Sequence, residues 1–280
     1  MENIPVGPEK RHDDEGQKEE FNIQEQEKNI QEVFKLNPEL LNIGSQEQYE
    51  EYVKTIFPDS IVKDIVWHGT TSLEHLKESS RFEFRQSKEY NYEHNAFFAT
   101  SSFEDAKTGG TGKGEYSPIG LLLNIEDSKA GILKEGNIIK KNTDTFNYNS
   151  SDELQKELGL YSSQWEKLNW KITRNSETQL SIEKPDSIVK KIGIWKENQL
   201  VKDLSSNVGY IGDIKEKTVK ELQEKNIEGV IIENAKDLGL QGQDDKKWYL
   251  VFSPEQIYIL GSKSDMEKFK EFVLRNSETK

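Results

Sequence analysis

The stretch Ile65-Val66-Trp67-His68-Gly69-Thr70-Thr71 decides how this chain reads. Three apolar residues run directly into His-Gly-Thr, and Ser72-Leu73-Glu74 follows as a helix start. A short apolar run bounded this way predicts a buried strand that carries a histidine to its carboxyl end. The glycine beside it lacks a Cβ, which leaves room for a ligand against main-chain N–H and C=O groups. A binding corner is the first functional expectation.

Downstream, Arg81 to His94 alternates polar and aromatic residues and reads as an irregular lead-in. Ala96-Phe97-Phe98-Ala99-Thr100 is a second strand, and Ser101 to Lys107 a serine-capped helix. Thr108 to Gly114 reads as a loop, followed by the apolar strand Ile119 to Ile125. Near the C-terminus, a helix over Ile214–Lys225 precedes a buried strand Gly229-Val230-Ile231-Ile232. A polar loop, Asp237 to Lys247, leads to a strand over Trp248–Phe252. Ser253-Pro254-Glu255-Gln256 then turns into a last strand ending at Leu260. A terminal helix over Ser264–Leu274 carries Met266, Phe269, Phe272 and Val273 on one face.

The middle, about 130 to 185, has weaker periodicity. It reads as a short helix over Asp152–Leu160, a mixed pattern through Tyr161, Trp165, Leu168 and Trp170, and a strand over Thr178–Ile182. A further strand over Ile188–Trp195 follows, and Trp165, Trp170 and Trp195 are expected to pack. Strands and helices that do not alternate regularly predict an α+β domain.

Residues 1–28 are polar and acidic, with Phe21 and Ile23 their few large apolar side chains, so a disordered tail is expected there. Residues 29–61 form a helical lead-in: Ile30, Val33 and Phe34 share a face, Pro38 opens a turn, and Ser45 with Gln48 caps the next helix. The main domain is expected over 62–280.

Composition excludes several functions. A formal charge of −13 among 280 residues opposes binding to a nucleic-acid backbone, which needs a cationic footprint. The absence of cysteine rules out disulfides, thiol catalysis and zinc–thiolate sites. No apolar stretch is long enough to span a bilayer, and a soluble cytoplasmic protein is expected. His12, His75 and His94 have no partners at metal-ligand spacing, so no metal site is expected. Gly109-Gly110-Thr111-Gly112-Lys113-Gly114 is not a phosphate loop, because Gly114 stands where a hydroxyl must ligate magnesium.

Four stretches in order carry a resemblance: Val66 to Thr70, Ala96 to Ser101, Leu222 to Ile231 and Trp248 to Ile257. Together they resemble the ADP-ribosyltransferase fold of the diphtheria-toxin and poly(ADP-ribose) polymerase type, over about residues 62 to 262. The resemblance implies a split β-sandwich of two small sheets with surrounding helices. It implies NAD as substrate, cleavage of the nicotinamide–ribose bond through an oxocarbenium-like state, and transfer of ADP-ribose to an acceptor, expected to be a protein. It assigns His68 to a ribose hydroxyl and the Gly69 backbone to the nicotinamide carboxamide, with Thr70 and Ser101 beside the cofactor. Phe98 stands where a tyrosine usually lines the pocket, and Gln256 resembles a structural glutamine.

Two positions depart from the pattern. The place of a nicotinamide-stacking tyrosine falls on Gly109, and the place of the closing-strand glutamate falls on Trp248. Losing one such electrostatic contact typically costs about 3–4 kcal/mol of transition-state stabilisation. Glu255 and Glu233 are the nearby candidates for the missing carboxylate. Two readings follow: a transferase, or a non-catalytic module of the same fold that binds NAD or a protein.

Overall fold

The computed structural model describes residues 14–83, 86–87, 92–93, 96–108, 115–156, 171–204, 216–233 and 246–278. The chain divides into two compact units. One comprises Met1–Lys134, Ile194–Val201 and Asn207–Lys280, and the other Glu135–Gly193 and Lys202–Ser206.

In the first unit, helix α1 covers Asp14–Leu36. The helix thus includes Asp14 to Lys28, part of the stretch read as a tail. Its Glu, Gln and Lys residues are good helix formers, and they extend a helix whose packed end carries the buried Ile30, Val33 and Phe34. Pro38 opens a 3-10 turn, Pro38–Asn42, and helix α2 covers Gln46–Val53. The α2 start is the expected capping box: Ser45 Oγ accepts from Gln48 N, and Gln48 Oε1 accepts from Ser45 N.

Strand β1 is Val66–Thr70 and is followed by helix α3, Leu73–Ser79. A small hairpin, β2 (Gln86–Ser87) and β3 (Tyr92–Glu93), lies within the expected irregular lead-in. Strand β4 is Phe97–Thr100, helix α4 Phe103–Thr108 and strand β5 Ser117–Leu123. The expected loop from Gly109 to Gly114 lies outside the described residues. Strand β6, Ala130–Asn147, starts in this unit. Later come helix α5 (Glu216–Glu224), β10 (Gly229–Ile232), β11 (Trp248–Val251), β12 (Ile257–Ile259) and helix α6 (Lys263–Glu278). Helices beside a mixed sheet make the chain α+β, as expected.

The strand order in this unit is β12-β5-β1-β4-β11-β10-β6, antiparallel except for the β10–β6 pair. The sequence reading expects two small sheets; the hydrogen-bonded order is instead unbroken. It narrows at one place. Strands β1 and β5 pair from Val66↔Leu121 to Thr70↔Ser117, and β4 and β11 from Phe97↔Val251 to Thr100↔Trp248. Between β1 and β4, among the described residues, Trp67↔Thr100 is the one registered pair. The sheet therefore has a neck between β1 and β4.

Side chains alternate along each strand, so the sheet feeds two cores. One takes Val66, Ile119, Leu121, Phe97, Ala99, Tyr249 and Val251, drawn from both sides of the neck. The other joins Trp67, Ile65 and Leu122 to Ile30, Phe34, Tyr49 and Phe269 of helices α1, α2 and α6. The helical lead-in thus forms part of the main core. Trp67 is fully buried and donates its indole N–H to Asn29 Oδ1 at 3.2 Å. Burying a side chain of this size contributes roughly 1.5–3 kcal/mol.

In the second unit, β7 (Lys171–Ser176) pairs antiparallel with β8 (Gln179–Lys196). Strand β9 (Gln199–Asp203) also pairs with β8. The two strands expected at 178–182 and 188–195 are one continuous strand, and β6 and β9 are further strands that the sequence reading does not contain. Among the residues whose burial is described, β8 is exposed or half-buried between Glu183 and Lys190, where the apolar alternation of Leu180 and Ile182 lapses. Likewise β6 is exposed or half-buried beyond Leu133, so its strand has no such signal. Residues 151–156 are helical, within the expected helix. Leu154, Leu180 and Ile182 form a small core with Tyr148. Tyr161, Trp165, Leu168 and Trp170 lie outside the described residues.

Candidate functional site

Antiparallel pairing explains what the neck does to the backbone. Successive residues of a strand direct their N–H and C=O groups to alternate edges. Ser101 N donates to Lys247 O on the β11 side at 2.9 Å, so the Phe98 carbonyl, three residues earlier, faces β1. Continued pairing beyond Trp67↔Thr100 would bring that carbonyl to the Gly69 N–H. The His68 imidazole takes its place, with Nδ1 2.8 Å from Phe98 O. A carbonyl only accepts, so His68 carries its proton on Nδ1 and leaves Nε2 as an acceptor. The Gly69 peptide edge is directed at the gap that the ring props open.

Burial holds the His68 pKa below the usual imidazole range, with the Phe98 carbonyl pulling weakly the other way. The ring is therefore neutral near pH 7. Its centroid lies 4.4 Å from that of Phe97 and 5.5 Å from that of Phe82. Beside it is a pocket of about 240 Å³, lined by Thr70, Ser72, His75, Arg81, Phe82 and Phe97 among others. An aromatic floor thus meets a rim of hydroxyls, an imidazole and a guanidinium.

The other expected site residues divide between this pocket and elsewhere. Thr70 lines the pocket, and its Oγ1 accepts from Ser72 N at 3.0 Å. Thr100 repeats the arrangement at the end of β4, accepting from Ser102 N at 3.1 Å. Each threonine turns a strand into the helix that follows it. Ser101 serves the sheet: its Oγ accepts from Lys247 N at 3.1 Å, tying β4 to the β11 lead-in.

Gly69 has a different steric role from the one expected. A Cβ there would lie 2.0 Å from the Ala106 carbonyl oxygen and 3.0 Å from Tyr116 Cβ. The missing Cβ admits helix α4, not a ligand; only the peptide edge within the sheet plane faces the gap.

Trp248 pairs with Thr100 on one side and Ile232 on the other. Trp67, Thr100 and Trp248 form one row across three strands and share a face, so His68 and Trp248 project from opposite faces. The Trp248 indole nitrogen is buried and has no hydrogen-bond partner among the described residues. Phe98 is half-buried in register with Leu250, on the Trp248 face, and meets His68 through its carbonyl.

The two candidate carboxylates stand apart. Glu255 is exposed, bonds to the Ser253 hydroxyl and pairs with Arg81 at 3.0 Å. The Ser253 hydroxyl, its own backbone N–H and Arg81 hold its pKa below the usual carboxylate range, which suits an anchor better than a proton donor. Through Arg81 it reaches the rim of the His68 pocket. Glu233 is exposed at the bend after β10, one residue beyond the Ile232↔Trp248 pair.

Gln256 is buried and structural. Its Oε1 accepts from Phe252 N and Ser253 N at 3.0 Å each, and its Nε2 donates to Asn124 O at 3.0 Å. These bonds tie the turn after β11 to the end of β5. Arg81, Phe82 and His75 are pocket residues that the sequence reading did not single out. Their signal was faint, because two of them sit in the aperiodic stretch after α3.

No family model, curated protein or solved structure matches this chain. Among the described residues, no group of three or more histidine and acidic side chains is placed to hold a metal ion. No described helix is long and apolar enough to cross a membrane.

Proposed function

We propose that this chain is an ADP-ribosyltransferase-like protein that binds NAD at the neck between β1 and β4 and transfers ADP-ribose to an acceptor. The observation that carries this reading is the His68–Phe98 bridge, which leaves the Gly69 peptide edge directed into a gap beside an aromatic-floored pocket. A carboxamide offers one donor group and one acceptor, which complements a strand edge presenting C=O and N–H. The His68 Nε2 lone pair suits a ribose hydroxyl as donor. In the transfer, the bond from ribose C1′ to the nicotinamide nitrogen breaks, and nicotinamide leaves with the electron pair. The acceptor's nucleophile bonds to C1′ and its proton passes to solvent.

The finer likeness to a split sandwich belongs to the same proposal. The neck supports it, because a single registered pair joins β12-β5-β1 to β4-β11-β10-β6. Core side chains drawn from both halves support it too.

One observation favours a second reading, a module that binds NAD without transferring it. Trp248 fills the place that the resemblance gives to the carboxylate, it projects from the face opposite His68, and neither Glu255 nor Glu233 stands in its row. Calorimetric titration with NAD, with His68→Ala as control, tests the shared premise. Saturable heat that the substitution abolishes supports both readings, and no heat from the unaltered protein overturns both. Labelled NAD then separates them: label appearing on an acceptor supports transfer, and binding without label supports the module.

A further inference from the structure

Far from the neck, the first unit buries a carboxyl group among three tyrosines. Asp265, in the first turn of α6, is fully buried. Its Oδ2 accepts from Tyr49 Oη at 2.5 Å and from Gly261 N at 2.7 Å. Among the described residues, its buried Oδ1 has no hydrogen-bond partner. Asn37, just before the 3-10 turn, is also buried, and its Oδ1 likewise has no partner. The assignment of its amide is unambiguous, because Nδ2 donates to Val33 O at 2.8 Å and that carbonyl only accepts.

The two side chains meet the same glycine. Gly261 gives its N–H to Asp265, and a Cβ on it would lie 2.3 Å from Asn37 Oδ1. Its φ of +70° and that close approach make glycine the fitting residue. Two buried acceptors without a donor are unfavourable, and one proton on the carboxyl group satisfies both.

We propose that Asp265 is a proton-operated clasp between α6 and the α1–α2 connection: protonated, it donates from Oδ1 to the Asn37 carboxamide oxygen, and on ionisation that link is lost.

The surroundings agree. From α2, Tyr49 faces the carboxyl group directly, and Tyr52 bonds to Tyr258 of β12 at 2.7 Å. Burial and the neighbouring Asp265 raise all three phenols above the usual tyrosine range, so they stay neutral. Of the nearby cations, Lys268 lies 5.0 Å over the Tyr258 ring and Lys263 pairs with Glu78 of α3 at 3.4 Å. Burial pushes the Asp265 pKa up to about 6, against hydrogen bonds from Tyr49, the Gly261 backbone, Tyr52 and Tyr258.

The sign follows from linkage. A carboxyl raised from 3.8 to about 6 holds its proton more tightly in the folded chain. Its contribution to stability is complete below the unfolded value and is lost as pH rises through about 6. The loss corresponds to roughly a hundredfold in the unfolding constant.

Carboxyl-carbon NMR of the aspartate-labelled full chain, assigned with Asp265→Asn, reads the titration directly. A midpoint near 6 or above supports the clasp, and a carboxyl ionised at pH 5 overturns it. In Asn37→Ala the midpoint should fall, and an unmoved midpoint overturns the named partner. Urea unfolding between pH 4 and 8 should show the unaltered protein losing stability relative to Asp265→Asn as pH rises; parallel curves overturn the switch.

Discussion

His68 Nδ1 lies 2.8 Å from the carbonyl oxygen of Phe98, thirty residues away, where continued strand pairing would put the Gly69 N–H. A side chain has replaced a ladder bond. The consequence is local and chemical: one strand-edge peptide faces a gap, and one imidazole is fixed in a single tautomer.

That tautomer gives a pH prediction. Burial depresses the His68 pKa, so the folded chain binds this proton less readily than the unfolded one. Stability from this group should be full above the ordinary imidazole value of about 6.5 and fall as the solution is acidified below it. Nitrogen NMR of the imidazole should show protonated Nδ1, bare Nε2 and a midpoint below 6.5. A ring with its single proton on Nε2 and a bare Nδ1 at neutral pH would contradict the bridge.

An acid restored at the closing strand tests whether that face reaches the cofactor. Trp248 projects from the face opposite His68, so Trp248→Glu should leave the rate of nicotinamide release unchanged. A rise of about 10²–10³, the usual worth of one such electrostatic contact, would mean that both faces meet at the ribose. Release measured by chromatography from both proteins gives the ratio. Equal rates with NAD bound would remove Trp248 as the limiting departure.

Gly69→Ala should destabilise the fold whether or not NAD binds. The added methyl would meet the Ala106 carbonyl at 2.0 Å, and a backbone atom cannot swing aside as a side chain would. Overpacking of this kind costs about 1–3 kcal/mol, read as a lower urea midpoint with an unchanged slope. An unchanged midpoint would mean that α4 is free to shift off β1.

Gln256→Ala strands the N–H groups of Phe252 and Ser253 and the Asn124 carbonyl. Interior groups left unpaired cost about 1–3 kcal/mol each, so with three of them stranded a total loss of at least about 3 kcal/mol is expected. Gln256→Glu keeps the acceptor and loses the donor to Asn124, so it should fall between the two in the same unfolding experiment.

Much of the first unit was legible because its signals are local. Val66-Trp67 before His-Gly, Ser45 with Gln48, and Gly229 to Ile232 each announce their element within a few residues. The middle was not, because β6 and β8 carry exposed polar residues on long strands that pair with distant segments. Site residues divide the same way. His68 stood out through its strand and glycine, whereas Arg81 and Phe82 reach the pocket from an aperiodic stretch. Ser101, expected beside a cofactor, is committed to Lys247, which is remote in sequence.

The amino-acid sequence by itself determined the α+β class, the strand that delivers His68, the caps of the helices and the charge that disfavours nucleic acid. These depend on neighbouring residues, propensity and composition, which a linear reading holds in full. Tertiary structure alone decided that β1 and β4 part after Trp67↔Thr100, that Gly69 admits α4, and that His68 and Trp248 face opposite sides. It also decided that Asp265 is buried against Tyr49. Each of these depends on a meeting of distant segments, where register and close approach, not residue type, set the outcome.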